Sequence, residues 1–168
     1  MYDFWSGTNT RIVGVQAELV VKTIEKCPDL VDCYIRWATP DLNEVRTSFA
    51  YKTLLDTIRE AIAVQNLSVL FNPKEKYSVN QQSQRAATIL GCLALPHNFF
   101  HRGLTHPETE IRIAFASFLQ VLFKKINELE HILNHNPKAD AYSKTEKEQI
   151  FLKLKGETVF FIDMLHLP

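Results

Sequence analysis

The sequence predicts an all-α chain, built as an α-solenoid of stacked helical hairpins. Three observations predict it. Apolar residues step by three and four over long stretches, most clearly at Ile111, Phe115, Phe118, Leu119, Leu122, Ile126, Leu129 and Leu133, which places them on one helical face. A proline-containing acidic turn followed by a β-branched residue and arginine occurs twice, at Pro40–Arg46 and Pro107–Arg112. No stretch alternates apolar and polar residues between turn signals, as a half-buried strand would.

In chain order, Ser6-Gly7-Thr8-Asn9 reads as a lead-in turn. A first helix is expected from Arg11 to Lys26, with Val15, Leu19, Val20 and Ile24 on one side. Pro28 interrupts it and suits the first turn of a short second helix through Trp37, because proline's missing N–H has no helical partner there anyway. Thr39-Pro40 is expected to open the next helix, where Val45, Phe49, Leu55, Ile58 and Ile62 keep helical spacing. Residues 66–79 read as a polar connection, and Gln81–Leu95 as a helix broken by Pro96. The segment His97–Gly103 is a turn or short helix.

The next turn, Thr105 to Arg112, leads into the longest amphipathic run. Thr105 and Glu108 have the spacing of a capping box, and Pro107 suits a first helical turn. Ile113, Val121 and Phe123 lie off the main face, as expected of a helix that touches both its hairpin partner and a neighbouring repeat. Beyond a loop at residues 134–140, Ser143 and Glu146 form a second capping box. That helix is expected to stop at Gly156, with another beginning at Thr158. The two turns echo each other: Glu44 aligns with Glu110, Val45 with Ile111, Phe49 with Phe115 and Ala50 with Ala116. The pattern resembles that of HEAT/armadillo-like arrays, in which such an arginine is expected to ladder between repeats, bonding turn carboxylates and carbonyls. Pro40, Arg46, Pro107 and Arg112 are therefore assigned structural roles in turns. From the apolar ends of the chain, Tyr2, Phe4 and Trp5 at one and Phe160 to Leu167 at the other, the expectation is a single repeat domain, 1–168, that is a fragment of a longer solenoid.

Composition narrows the function. Apolar residues make up 46% and charged residues 23%, a globular balance. Nineteen basic residues match nineteen acidic ones, so no global field draws the chain to nucleic acid or to a membrane. No apolar run reaches membrane-spanning length. Cys27, Cys33 and Cys92 form no C-x-x-C pair and read as reduced thiols of a soluble intracellular protein.

Chemistry is hard to place. His97, His101 and His106 cluster, and His97/His101 have the i, i+4 spacing of a helical metal pair, but no carboxylate or thiol completes a known zinc pattern. No nucleophile elbow, phosphate-binding glycine loop or paired-carboxylate arrangement occurs. The expectation is a non-enzyme with no catalytic, metal or cofactor-binding residues, no cofactor and no small-molecule substrate. Lys74, Lys76, Arg85, Arg102 and Lys124-Lys125, with Tyr77 and Phe100 beside them, offer a modest RNA-contact pattern. Interleaved acids make solvated helix faces the plainer reading of the same residues.

Two segments carry a resemblance. Ala17–Val31, with Glu18-Leu19-Val20-Val21 and Cys27-Pro28-Asp29-Leu30, resembles the N-terminal helical region of the nucleolar pre-ribosomal-associated protein 1 family. Phe100–Leu104 and Ile111–Lys125 resemble a later helix of that family, in the same order and at a similar separation. Ile111 and Lys125 stand where valine and arginine are more usual there. The resemblance spans roughly residues 12–133. It implies a large nucleolar α-solenoid that scaffolds early large-ribosomal-subunit precursors, with ribosome-assembly factors and pre-ribosomal RNA as partners and no catalytic residues. A generic HEAT-type adaptor for protein–protein interaction, without an RNA role, is the competing expectation. A small all-α metal-dependent enzyme using His97, His101 and His106 is a third.

Overall fold

The computed structural model describes residues 10–44, 48–71, 74–92, 95 and 99–163, with side chains at 17–38, 51–71, 74–92, 95 and 99–155. Among them are seven α-helices and no strand: α1 (Thr10–Lys26), α2 (Leu30–Glu44), α3 (Ser48–Ala63), α4 (Val79–Ile89), α5 (Phe99–Leu104), α6 (Thr109–His135) and α7 (Lys144–Asp163). Short 3-10 turns at Leu67–Leu70 and Pro137–Ala139 precede α4 and α7. The all-α class is what the sequence predicts.

Several boundaries differ from the sequence reading. Pro40 does not open a helix; it lies inside α2, which continues to Glu44. A proline there loses its N–H bond to the carbonyl four residues back and crowds that carbonyl with its ring, yet the helix continues on both sides of it. Arg46 falls outside the described residues. Helix α4 ends at Ile89 rather than Leu95 because Gly91 takes φ 68°. The Gly91 and Cys92 N–H groups then return to the Thr88 and Ala87 carbonyls at 3.0 and 2.9 Å, a Schellman close that satisfies the last carbonyls. Helix α7 runs through Gly156 to Asp163, since a single interior glycine weakens a helix by only about 1 kcal/mol. The polar connection after α3 also buries Leu67, Leu70 and Phe71, so its 3-10 turn belongs to the core.

The elements form two similar units. In the first, α3 is followed by a 3-10 turn whose Asn66 side chain accepts from the Ser68 N–H, then by α4 with a Ser78/Gln81 capping box. In the second, α6 is followed by a 3-10 turn whose Asn136 side chain accepts from the Lys138 N–H, then by α7. Ser143 and Glu146 bond there as Ser78 and Gln81 do. Helix α2 packs on α3 and α4 as α5 packs on α6 and α7.

Equivalent helices of the two units lie against each other, α3 on α6 and α4 on α7. Early in α3 the Tyr51 ring meets Phe115, early in α6, at 6.3 Å. Just past the end of α3 the Gln65 carbonyl accepts from Lys125 Nζ at 2.6 Å, farther along α6. The pair therefore runs parallel. Helices α4 and α7 start side by side, with the Tyr142 hydroxyl donating to the Tyr77 carbonyl at 2.8 Å and Lys76 beside Glu146.

Helix α3 sits at the centre, packed by α1, α2 and α6, and Leu54, Leu55, Ile58, Ala61 and Ile62 are all buried. Phe99 and Phe100 of α5 meet Phe115 and Phe118 of α6 with centroids 4.9–5.9 Å apart, in the tilted and edge geometries that aromatic quadrupoles favour. Gly103 makes this approach possible, since a Cβ there would enter the Phe115 ring.

Candidate functional site

The turn into α6 is the first candidate, since the sequence assigns it Pro107 and Arg112. Pro107 precedes the helix, and the N-cap is Glu108, whose side chain makes no capping bond. Thr105 does not cap α6; its hydroxyl donates back to the His101 carbonyl of α5 at 2.6 Å. The Glu108 N–H donates instead to His106 Nδ1 at 3.1 Å.

Arg112 reaches back over this turn. Its Nη1 donates to the His106 and Pro107 carbonyls at 2.7 and 2.9 Å, and its Nη2 to Thr109 Oγ1 at 2.8 Å. A planar guanidinium with several fixed donors suits such a task. The partners all lie within Arg112's own turn. The His106 ring also packs on Tyr51 of α3 at 5.5 Å, so the turn is anchored to the first unit. Burial raises the Tyr51 phenol above its ordinary range, and Arg102 pulls the other way.

Of the basic and aromatic residues that suggested RNA contact, Phe100, Lys125 and Arg85 turn into the protein, while Lys74, Lys76, Arg102 and Lys124 are exposed. Phe100 is buried. Lys125 is 8% exposed and donates to the Gln65 carbonyl while pairing with Glu128 at 3.1 Å. It fastens the C-terminal end of α3 to α6, a role that sequence reasoning missed. The signal was present: Lys125 falls between Leu122 and Leu129 on the apolar stripe. Arg85 places its guanidinium carbon over the Tyr77 ring, 4.1 Å from the centroid, and donates inward to the Leu70 carbonyl and Gln82 Oε1. Lys76 pairs with Glu146 at 3.3 Å and sits over the Tyr142 ring. Only Lys124 of the basic pair on α6 faces outward.

Around Arg85 the surface dips into an open groove of about 320 Å³ lined by Asp29, Tyr77, Gln81, Gln84, Arg85 and Thr88. Its carboxylate, amides and guanidinium offer donors and acceptors of both charges. No nucleophile–base pair occurs among its lining residues. Glu75 accepts from the Tyr77 hydroxyl at 2.9 Å, and this bond raises the phenol's pKa.

His97 lies outside the described residues; His101 is exposed on α5 and His106 serves the α6 turn. Among the described residues no three histidines, cysteines or carboxylates come together to hold a metal. No described helix is long and apolar enough to cross a membrane. Comparisons with protein-family models, curated proteins and solved structures match nothing to this chain.

Proposed function

We propose that this chain is a non-catalytic segment of a HEAT/armadillo-like α-solenoid, a scaffold in nucleolar assembly of the large ribosomal subunit precursor. The observation that carries the array reading is the repeated helix, Asn-capped 3-10 turn and Ser-capped helix, with α3 parallel to α6. Units that stack equivalent helices bury each other's apolar faces and leave extended surfaces for partners. The ribosomal part of the reading rests on the resemblance of Ala17–Val31 and Ile111–Lys125 to the nucleolar pre-ribosomal-associated protein 1 family. The first of these segments forms the end of α1, the turn at Cys27–Asp29 and the start of α2; the second is the first half of α6.

On this reading ribosome-assembly factors and pre-ribosomal RNA are the partners, and no cofactor or small-molecule substrate is used. The inward ties of Arg85 and Lys125 argue against direct RNA contact by those two residues. Crosslinking in cells, followed by sequencing of bound RNA and identification of bound proteins, tests the proposal. Recovery of large-subunit precursor RNA and assembly factors is expected. Protein partners with no ribosomal component would leave the generic adaptor as the function.

A further inference from the structure

We propose that His131 and His135, in the last two turns of α6, form an open two-histidine site for a divalent transition-metal ion. The proposal stands apart from the scaffold reading, since it uses neither the array nor a partner. Both residues are exposed, and four positions apart on a helix they sit one turn above the other on the same side. Their rings do not splay into solvent. They stack, with centroids 4.5 Å apart and planes 20° from parallel.

The second observation is the bond that orients one of the rings. His135 Nδ1 lies 3.1 Å from the His131 carbonyl. A carbonyl only accepts, so Nδ1 carries the proton, and in the neutral ring the bare nitrogen is Nε2. That is the arrangement of a metal-ligating histidine, whose other ring N–H goes to a carbonyl or carboxylate and fixes the tautomer. Neither ring nitrogen of His131 bonds to a described residue, so that ring has a nitrogen to give as well. Small turns about the exposed side-chain torsions bring one nitrogen of each ring onto a shared ion at about 2.0–2.1 Å. Histidines at this spacing on one helix supply two of the zinc ligands in H-E-x-x-H metalloproteases.

The surroundings define the ion further. Two imidazoles suit Zn²⁺, Ni²⁺ or Cu²⁺ over the oxygen-seeking Ca²⁺ and Mg²⁺, with Cu²⁺ held most tightly. Glu128, one turn before His131, is engaged with Lys125 at 3.1 Å. No third histidine, cysteine or carboxylate joins the pair among the described residues, so water fills the remaining positions. The pair lies at the C-terminal end of α6, where the negative end of the helix dipole favours a cation.

Isothermal titration of the full chain with ZnCl₂ and, separately, with CuCl₂, in a buffer that does not bind metal, tests the proposal. Saturable binding of one ion per chain is expected, tighter for copper. His131→Gln and His135→Gln are each expected to weaken it roughly tenfold or more, because a single imidazole loses the advantage of the second ligand held beside it. His101→Gln is expected to leave it unchanged. In NMR spectra zinc should shift the imidazole Hε1 signals of His131 and His135 ahead of those of any other histidine. Circular dichroism melts check that each variant is folded. Absence of saturable binding, or binding that survives both substitutions in folded protein, overturns the proposal. Binding lost in His101→Gln instead also overturns it, by placing the ion at other histidines.

Discussion

Lys125 concentrates much of what is particular about this chain at the level of single residues. A lysine on an apolar stripe is costly unless its ammonium is partnered, and here it finds the Gln65 carbonyl and Glu128. Lys125→Met keeps the aliphatic stem but leaves a buried carbonyl unpaired. We expect a loss of about 1–3 kcal/mol, measured by urea denaturation. Gly91→Ala is expected to cost about 1–2 kcal/mol from the left-handed backbone alone, and more from displacing the Ile35 side chain, whose Cδ1 occupies the space; thermal melting reads it. Glu146 illustrates a pH effect. Its carboxylate accepts from the Ser143 N–H at 2.7 Å and pairs with Lys76, so its pKa lies below the ordinary carboxylate value. A depressed folded pKa contributes stability above the unfolded value and loses it as pH falls through the folded one. Glu146→Gln should therefore melt below the parent protein at neutral pH and match it in strong acid.

At the level of elements, caps and turns decide where helices begin and end. Serines at 78 and 143, each followed three residues later by Gln or Glu, mark the starts of α4 and α7, and the second box was legible in the sequence. Ser78→Ala should remove about 1 kcal/mol of stability without altering the fold, a change chemical denaturation resolves. The Thr105–Glu108 pattern has the same spacing and does not cap α6. His101's carbonyl captured the threonine hydroxyl and His106's ring took the Glu108 N–H. Local pattern lost to neighbours that the pattern does not contain. Pro40 and Gly156 teach the same lesson from the other side, since each signals a break and each sits within a continuing helix. An interior glycine costs about 1 kcal/mol and an interior proline about 3 kcal/mol, and the packing of a whole helix face offsets both.

At the level of the whole molecule, α3 is the shared spine, covered by α1, α2 and α6. Its amides should exchange most slowly with deuterium, and those of α5 and the exposed flank of α6 earlier, because protection follows burial and contact density. Exchange mass spectrometry checks this ordering; an α3 that exchanges as fast as α5 would contradict the packing. The sequence by itself determined the all-α class and most of the packed face of α6, while Leu19, expected on the packed side of α1, is exposed and Leu119 only half-buried. Helical periodicity is a local property, and Ile111, Phe115, Phe118, Leu122, Ile126, Leu129 and Leu133 are buried as their spacing requires. The two acidic stretches that echo each other in sequence do not correspond in structure, since Pro40 to Glu44 lies within α2 and Pro107 in the turn before α6. Tertiary structure alone decided the parallel setting of α3 on α6 and the inward turn of Lys125 and Arg85. The physical reason is that those features depend on which residues meet across long stretches of chain. A lysine in water and a lysine against a buried carbonyl are the same letter.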